Sequence, residues 1–274
     1  MPELPEVEVL RRSLQRRVIG RRIEHIAVHD ERLREPVRTH QLAARLSGRR
    51  IVALRRRAKY LLLDVERGNT LVIHLGMSGR VTLVGSDEPR EAHEHVAFLL
   101  DGGKRLRLRD PRRFGLVFAA STEGLENDRH FAGLGVEPLG PELSGSALAS
   151  AARGRKAPVK SFLMDGRAVV GLGNIYATES LFRAGIHPRR SVARMSRQSW
   201  TELARAIRAV LKQAIEEGGT TLNDFTDGAG KSGYFQVSLA VYGREGDPCP
   251  RCGRPVRRIV QSGRASFYCP GCQR

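Results

Sequence analysis

Val7, Leu10, Leu14 and Val18 recur three and four positions apart, which lines up one face of an α-helix. Pro5 suits a first helical turn, Glu3 and Glu6 suit its electropositive end, and Gly20 suits its stop. The period then changes. Residues 23–28, 50–54, 60–65, 70–75, 80–84, 95–100, 104–109 and 116–120 read as short strands. Turn signals separate several of them, at Arg67-Gly68-Asn69, Met77-Ser78-Gly79 and Asp101-Gly102-Gly103. Arginine and leucine alternate strictly from Arg105 to Arg109, which predicts one wet, basic face. Eight short strands with tight turns predict a β-sandwich.

Beyond residue 125 the spacing becomes helical again. Residues 127–134, 146–152 and 159–164 are short candidates, and 174–184 is a better one, closed by Gly185 and Pro188. The longest is 196–217, with Trp200, Leu203, Ile207, Val210, Leu211 and Ala214 on one face and Gly218-Gly219 as its stop. Trp200 reads as core packing. The Pro/Gly-rich stretch 136–145 reads as a linker, and no repeat or low-complexity tract interrupts the chain. The class is α+β: an N-terminal helix and eight-stranded sandwich over 1–135, a helical domain over 136–235, and a C-terminal piece over 236–274.

Charge narrows the partners. The 274 residues carry a net +18, with a pI near 10.9. A chain this basic is expected to meet a polyanion, nucleic acid first and a membrane surface second. No apolar run is long enough to span a bilayer and no signal-peptide core opens the chain, so a cytoplasmic protein off the membrane is expected. Six lysines stand against a large excess of arginine.

All four cysteines sit in Cys249-x2-Cys252-x16-Cys269-x2-Cys272, two knuckles with the spacing of a tetrahedral zinc site. Four thiolates leave no open position, so the Zn2+ is expected to be structural. Strands at 257–261 and 265–268 would form a hairpin between the knuckles, with Ser262-Gly263-Arg264 at its tip. Seven basic residues against two acidic ones from Arg244 onward suit a nucleic-acid finger, although zinc ribbons also bind proteins.

The first residues carry a different chemistry. With Met1 removed, the nitrogen of Pro2 is a secondary amine, which adds to an aldehyde-like carbon and gives an iminium directly. Glu3 stands beside it to move protons. Proline at that place is also ordinary helix-starting chemistry, so Pro2 alone decides nothing. Gly171-Leu172-Gly173 runs into a helix at Asn174, an arrangement of helix, two turns and helix whose backbone N–H groups suit a phosphate. Met77 lies in one glycine-rich turn, and Arg112 and Phe114 lie in another, Asp110 to Gly115. An apolar tip with an arginine and an aromatic suits a wedge in a base stack.

Taken in order, Pro2-Glu3-Leu4-Pro5-Glu6-Val7-Glu8, Arg57-Ala58-Lys59-Tyr60-Leu61-Leu62, His74-Leu75-Gly76-Met77-Ser78-Gly79, Asp110 to Gly115, Gly171 to Tyr176 and the four-cysteine finger resemble bacterial formamidopyrimidine-DNA glycosylase, of the helix–two-turn–helix family. The resemblance runs from residue 2 to residue 274. It implies a bifunctional enzyme that excises 8-oxoguanine and formamidopyrimidines from damaged double-stranded DNA and then cleaves the abasic site. It implies Pro2 as nucleophile, Glu3 as general acid/base, Lys59 for β-elimination and Arg264 for δ-elimination. His93, Arg112, Arg155, Lys160 and Asn174 fall on its DNA contacts. Met77, Arg112 and Phe114 fall on the set that fills the void left by the flipped base, and residues 220–234 on a loop over that base. It further implies a monomer without a nucleotide cofactor, in the bacterial cytoplasm and on the nucleoid when bound. Arg155 departs from relatives that carry lysine there, and Asp165-Gly166 from many that carry Asp-Gln. Two other readings stay open: an endonuclease VIII-type enzyme for oxidised pyrimidines, and a non-catalytic zinc-finger DNA-binding protein.

Overall fold

A computed structural model of the chain describes residues 2–220 and 239–274. The chain divides into two compact units, one of residues up to Ala132 joined by the stretch from Gly218, the other of Gly133–Glu217 and the C-terminal residues.

In the first unit, α1 (Leu4–Val18) buries Leu4, Val7, Leu10, Leu14 and Val18 almost completely. Each such side chain is worth roughly 1.5–3 kcal/mol relative to exposure, so this face fixes the helix on its sheet. Glu8 adds a polar anchor on the same helix. It accepts from Arg11 and Arg12 within α1 and from Arg56 across the sheet. Burial alone would raise the Glu8 carboxyl, yet hydrogen bonds from Arg11 and Arg12 and the charges of Arg11 and Arg56 hold it below the usual carboxylate range.

Eight strands follow: β1 (Ile23–Val28), β2 (Ile51–Arg57), β3 (Tyr60–Val65), β4 (Asn69–His74), β5 (Arg80–Gly85), β6 (Glu94–Leu100), β7 (Lys104–Arg109) and β8 (Leu116–Ser121). They form two four-stranded antiparallel sheets, ordered β1-β6-β7-β5 and β2-β3-β4-β8. Leu61, Leu63, Leu71, Ile73 and Val117 of one sheet share a core with Ile26, Val81, Val96, Phe98 and Leu106 of the other. This is the expected eight-stranded sandwich.

Several local expectations are corrected. Helix α2 (Thr39–Leu46) carries only two fully buried apolar residues, Leu42 and Leu46, too few to register as a period. No helix spans 127–134. A 3-10 turn at Leu125–Asn127 replaces it, and Asp128 caps the following turn by accepting from the His130 N–H. Strand β2 runs on to Arg57 and turns into β3 through Ala58 and Lys59 alone. The face of β7 expected to be wet is roofed. Arg107 is buried, donates to Thr82 and pairs with Glu91, while Arg105 donates to the carbonyl of Glu88. Alternation locates the two faces of a strand but does not say which loop covers one of them.

The second unit holds α3 (Gly145–Ala151), α4 (Val159–Met164), α5 (Asn174–Arg183) and α6 (Arg197–Glu216), then the hairpin β9 (Arg257–Gln261) and β10 (Arg264–Tyr268). The stretch 136–145 is not a free linker. Val136 bridges to Val169, Leu143 is buried, and the Arg208 guanidinium donates to the carbonyls of Gly140 and Leu143. The finger also has a core of its own making with α5, where Phe182 packs with Val241, Cys249, Val256 and Cys269.

Gly145 marks a close helix contact, because a Cβ there would lie 2.7 Å from the Cα of Thr201 on α6. Gly145→Ala is expected to force α3 off α6 and to cost about 1–3 kcal/mol, read as a lowered urea midpoint. An unchanged midpoint would mean that the α3–α6 contact yields freely.

Candidate active site and nucleic-acid interface

Glu3 caps α1 in an extended conformation and forms a reciprocal capping box with Glu6. The Glu6 carboxylate accepts from the Glu3 N–H at 2.8 Å, and its other oxygen accepts from the N–H and hydroxyl of Thr220, each at 2.9 Å. Pro2, Glu3 and Glu6 are all buried. Sequence reasoning missed this second role of Glu6, which looked like a simple partner for the helix dipole. Its clamp holds Thr220, the first residue of the 220–234 loop. The rest of that loop lies outside the described residues.

The two candidate wedge turns are joined through Asp110, whose side chain is wholly buried. One carboxylate oxygen accepts from the Ser78 hydroxyl at 2.6 Å and the other from the Gly115 N–H at 2.7 Å. The Ser78 oxygen in turn accepts from the Arg112 N–H. Gly76 has φ +61°, and a Cβ on it would stand 2.3 Å from the Phe114 carbonyl carbon, so only glycine lets these turns touch. The result presents Met77 at 36% exposure and Phe114 at 45%, with the Arg112 guanidinium 5.1 Å from the centre of the Phe114 ring. Exposed His93 joins the cluster by its backbone, since its carbonyl accepts from the Asp110 N–H.

Lys59 occupies the two-residue β2–β3 turn behind Ala58, a non-glycine residue at φ +52°. Strain of this kind persists where the surroundings over-determine the backbone. His74, opposite Tyr60 in the β3–β4 ladder, was not singled out from the sequence. Its Nδ1 accepts from the Gly76 N–H at 3.0 Å, which places the ring proton on Nε2. Burial, then the charges of Lys59, Arg34 and His130, push its pKa down to about 4. A neutral imidazole thus supports the Met77 turn from below.

In the second unit Lys160 is only 2% exposed. Its ammonium donates to Asn174 Oδ1 at 2.6 Å, Ser266 Oγ at 2.7 Å and the Ala265 carbonyl at 3.0 Å. One residue of α4 therefore fixes the start of α5 and the finger hairpin together. The Asn174 amide also donates to the Tyr242 hydroxyl. Tyr242 is presented by a backbone turn whose three successive N–H groups, Ala240 to Tyr242, converge on the buried Glu179 carboxylate. Neither Tyr242 nor Glu179 carried a legible signal in the sequence. Arg155 pairs with Asp165 at 2.7 Å and lies over the Phe162 ring. Arg264 is exposed beside the Ser262-Gly263 turn, whose two positive φ values match a tight hairpin.

The chain matches three family models: the N-terminal domain of formamidopyrimidine-DNA glycosylase over residues 1–117, its H2TH domain over 134–226, and the zinc finger found in FPG and IleRS over 246–274. It is 51% identical to formamidopyrimidine-DNA glycosylase of Acidithiobacillus ferrooxidans and 52% identical to that of Syntrophotalea carbinolica, with 100% of both chains covered in each case. The chain belongs to the formamidopyrimidine-DNA glycosylase family. Among solved structures, the MutM (Fpg) protein of Thermus thermophilus superposes with a TM-score of 0.89 at 40% identity, covering 99% of this chain and 98% of that one. Wild-type Fpg (MutM) of Lactococcus lactis, in complex with DNA containing N7-benzyl-Fapy-dG, gives 0.92 at 32% identity, covering 100% of each.

The finger of this glycosylase-family chain fits one structural zinc. The four Sγ atoms lie within 4.8 Å of one another, with Cys252 and Cys269 at 3.4 Å and Cys249 and Cys272 at 3.9 Å. Tetrahedral Zn–S bonds of about 2.3 Å require edges of about 3.8 Å. Without a cation the Cys272 thiol resists ionisation: desolvation, then hydrogen bonds with the other three thiols, push it up to about 12. Among the described residues no helix is long and apolar enough to cross a membrane.

Two outcomes are expected. The unfolded His74 takes up a proton near its ordinary pKa of about 6.5, whereas the folded one resists until about 4. Stability therefore falls as pH drops through that window, by an amount on the order of 1–3 kcal/mol. Urea unfolding of the wild type against His74→Asn measures it, and the variant should give a shallower acid slope. Cys249→Ser should lose zinc by metal analysis and unfold the second unit's finger first, leaving the sandwich's own melting transition in place.

Proposed function

We propose that this protein is a base-excision repair glycosylase for oxidised purines, 8-oxoguanine and formamidopyrimidines, in duplex DNA. The observation that carries the reading is the pair of joined turns that hold Met77, Arg112 and Phe114 out into solvent. Exposed apolar side chains on a rigid support gain nothing from the fold, but they can replace the stacking lost when a base is flipped out at a cost of roughly a few kcal/mol. Arg112 would donate to O2 and N3 of the orphaned cytosine, which favours a guanine-derived lesion over a damaged thymine opposite adenine.

With Met1 removed, the Pro2 nitrogen attacks C1′ of the damaged nucleotide. The bond to the base breaks, and the base leaves with the electron pair and takes up a proton. Glu3 protonates the sugar ring oxygen as it opens, and loss of the N–H proton leaves an iminium between Pro2 and C1′. Removal of a C2′ proton then expels the 3′ phosphate, with Lys59 assigned to this β-elimination. Arg264 at the finger hairpin is assigned to the following δ-elimination of the 5′ phosphate, and water frees Pro2. Zinc takes no part beyond holding the hairpin. His93, Arg155 and Asn174 contact the DNA backbone. Lys160 acts on that contact by orienting Asn174 and the hairpin. The enzyme works as a monomer without a nucleotide cofactor, in the bacterial cytoplasm and on nucleoid DNA.

Borohydride should cross-link the Met1-free protein to DNA carrying 8-oxoguanine or an abasic site, and a variant retaining Met1 should give no adduct. An adduct formed by the blocked chain would move the nucleophile to a lysine, Lys59 first. Single-turnover excision at one fixed salt concentration should remove 8-oxoguanine opposite C faster than thymine glycol opposite A, by roughly tenfold or more. Arg112→Ala should narrow that ratio while sparing cleavage of a pre-formed abasic site. Faster removal of thymine glycol would assign the protein to oxidised pyrimidines instead.

A further inference from the structure

The second unit carries a groove that shares Arg155 with the proposed DNA contacts and whose other lining residues have no part in the repair chemistry. It lies between α3, the loop that follows α3, and the start of α6, with a cavity of about 680 Å³. Its apolar lining is Ala149, Val192, Met195 and Trp200. Its rim is cationic: Arg153, Arg155, Lys156 and Arg197 line it, and no aspartate or glutamate does. Among the described residues no carboxylate pairs with Arg153, Lys156 or Arg197, whereas Arg155 is held by Asp165. All three unpaired cations are exposed. The 20-residue helix α6 also begins at Arg197, so its positive end adds to the same field.

We propose that this groove docks an acidic peptide segment of a partner protein, one that buries a bulky apolar side chain on the apolar lining and sets its carboxylates on the rim. The two halves of the surface each exclude an alternative. A duplex offers phosphates on a convex, sugar-lined surface and has nothing to insert over Ala149 and Val192. Single-stranded nucleic acid needs exposed aromatic faces on which bases stack, and Trp200, the aromatic residue lining this groove, is only 3% exposed. An uncharged apolar peptide would leave the three cations without partners. A short anionic segment with one large apolar residue satisfies both halves, by charge complementarity at the rim and by filling a pocket at the centre.

The test uses the full zinc-loaded chain and a fluorescein-labelled peptide of aspartate, glutamate and glycine that ends in phenylalanine. Fluorescence anisotropy should report saturable binding. Arg153→Glu with Lys156→Glu should weaken it by about tenfold or more. Ser150→Trp, which fills the groove from its exposed edge, should weaken it without changing any charge. Replacing the terminal phenylalanine by alanine should weaken it as well. Neither protein variant should alter abasic-site cleavage at saturating DNA. Equal binding of the phenylalanine and alanine peptides would reduce the effect to diffuse charge and overturn the proposal. So would one-for-one displacement of the peptide by undamaged duplex, since the rim would then belong to the DNA surface.

Discussion

A chain terminus is ordinarily the least ordered part of a domain, and an N-terminal nucleophile is of no use unless that is reversed. Everything around α1 answers this constraint. Its apolar face is sunk into the sandwich, its first turn closes in the Glu3–Glu6 capping box, and Glu8 is gripped by Arg56 from β2. Glu6 contributes twice, since the same carboxylate that completes the cap also receives Thr220. The helix is therefore held by packing along its length and by charged hydrogen bonds at its start. Only the second kind fixes direction to within fractions of an ångström.

The same device recurs wherever a functional side chain is displayed. Asp110 is buried so that Met77, Arg112 and Phe114 can be exposed. Lys160 is buried so that Asn174 and the finger hairpin keep a common position. Glu179 is buried so that Tyr242 faces Asn174. In each case an ionisable group with all its partners inside the fold orients a group that points outward. Removing such a group leaves its buried donors or acceptors unsatisfied, at about 1–3 kcal/mol each. These sites are therefore coupled to stability as well as to recognition.

Much of this was legible in the residues. Periodicity marked α1, α5 and α6, and the turn residues marked the sandwich strands, because both signals are local. Cysteine spacing marked the metal site for the same reason. The failures are equally physical. Helix α2 is too short to display a period, with Leu42 and Leu46 as its only fully buried apolar residues. The alternation in β7 located the two faces of the strand but could not reveal the loop that roofs Arg107. The stretch 136–145 has the composition of a linker, yet it packs because Arg208, far along the chain, satisfies its carbonyls.

The sequence by itself determined the elements, the zinc ligands, the strong positive charge and the presence of Pro2 and Glu3 at the head of a helix. Each depends on residue type and near spacing alone. Tertiary structure decided which charges are displayed and which are consumed inside. Lys160 falls on a DNA-contacting position by resemblance, and the fold adds that its ammonium is buried and bonded to Asn174 and Ser266. His74 carries no role in the sequence beyond its place in a motif, and burial beside Lys59 makes it a neutral acceptor for the Gly76 N–H in the Met77 turn. Arg197 is far along the chain from Arg153 and Lys156, and the approach of α6 to α3 alone makes them one rim. The reason is common to all these cases: an ionisable group's state and availability are set by desolvation and by neighbours distant in sequence, and neither is written in the local pattern.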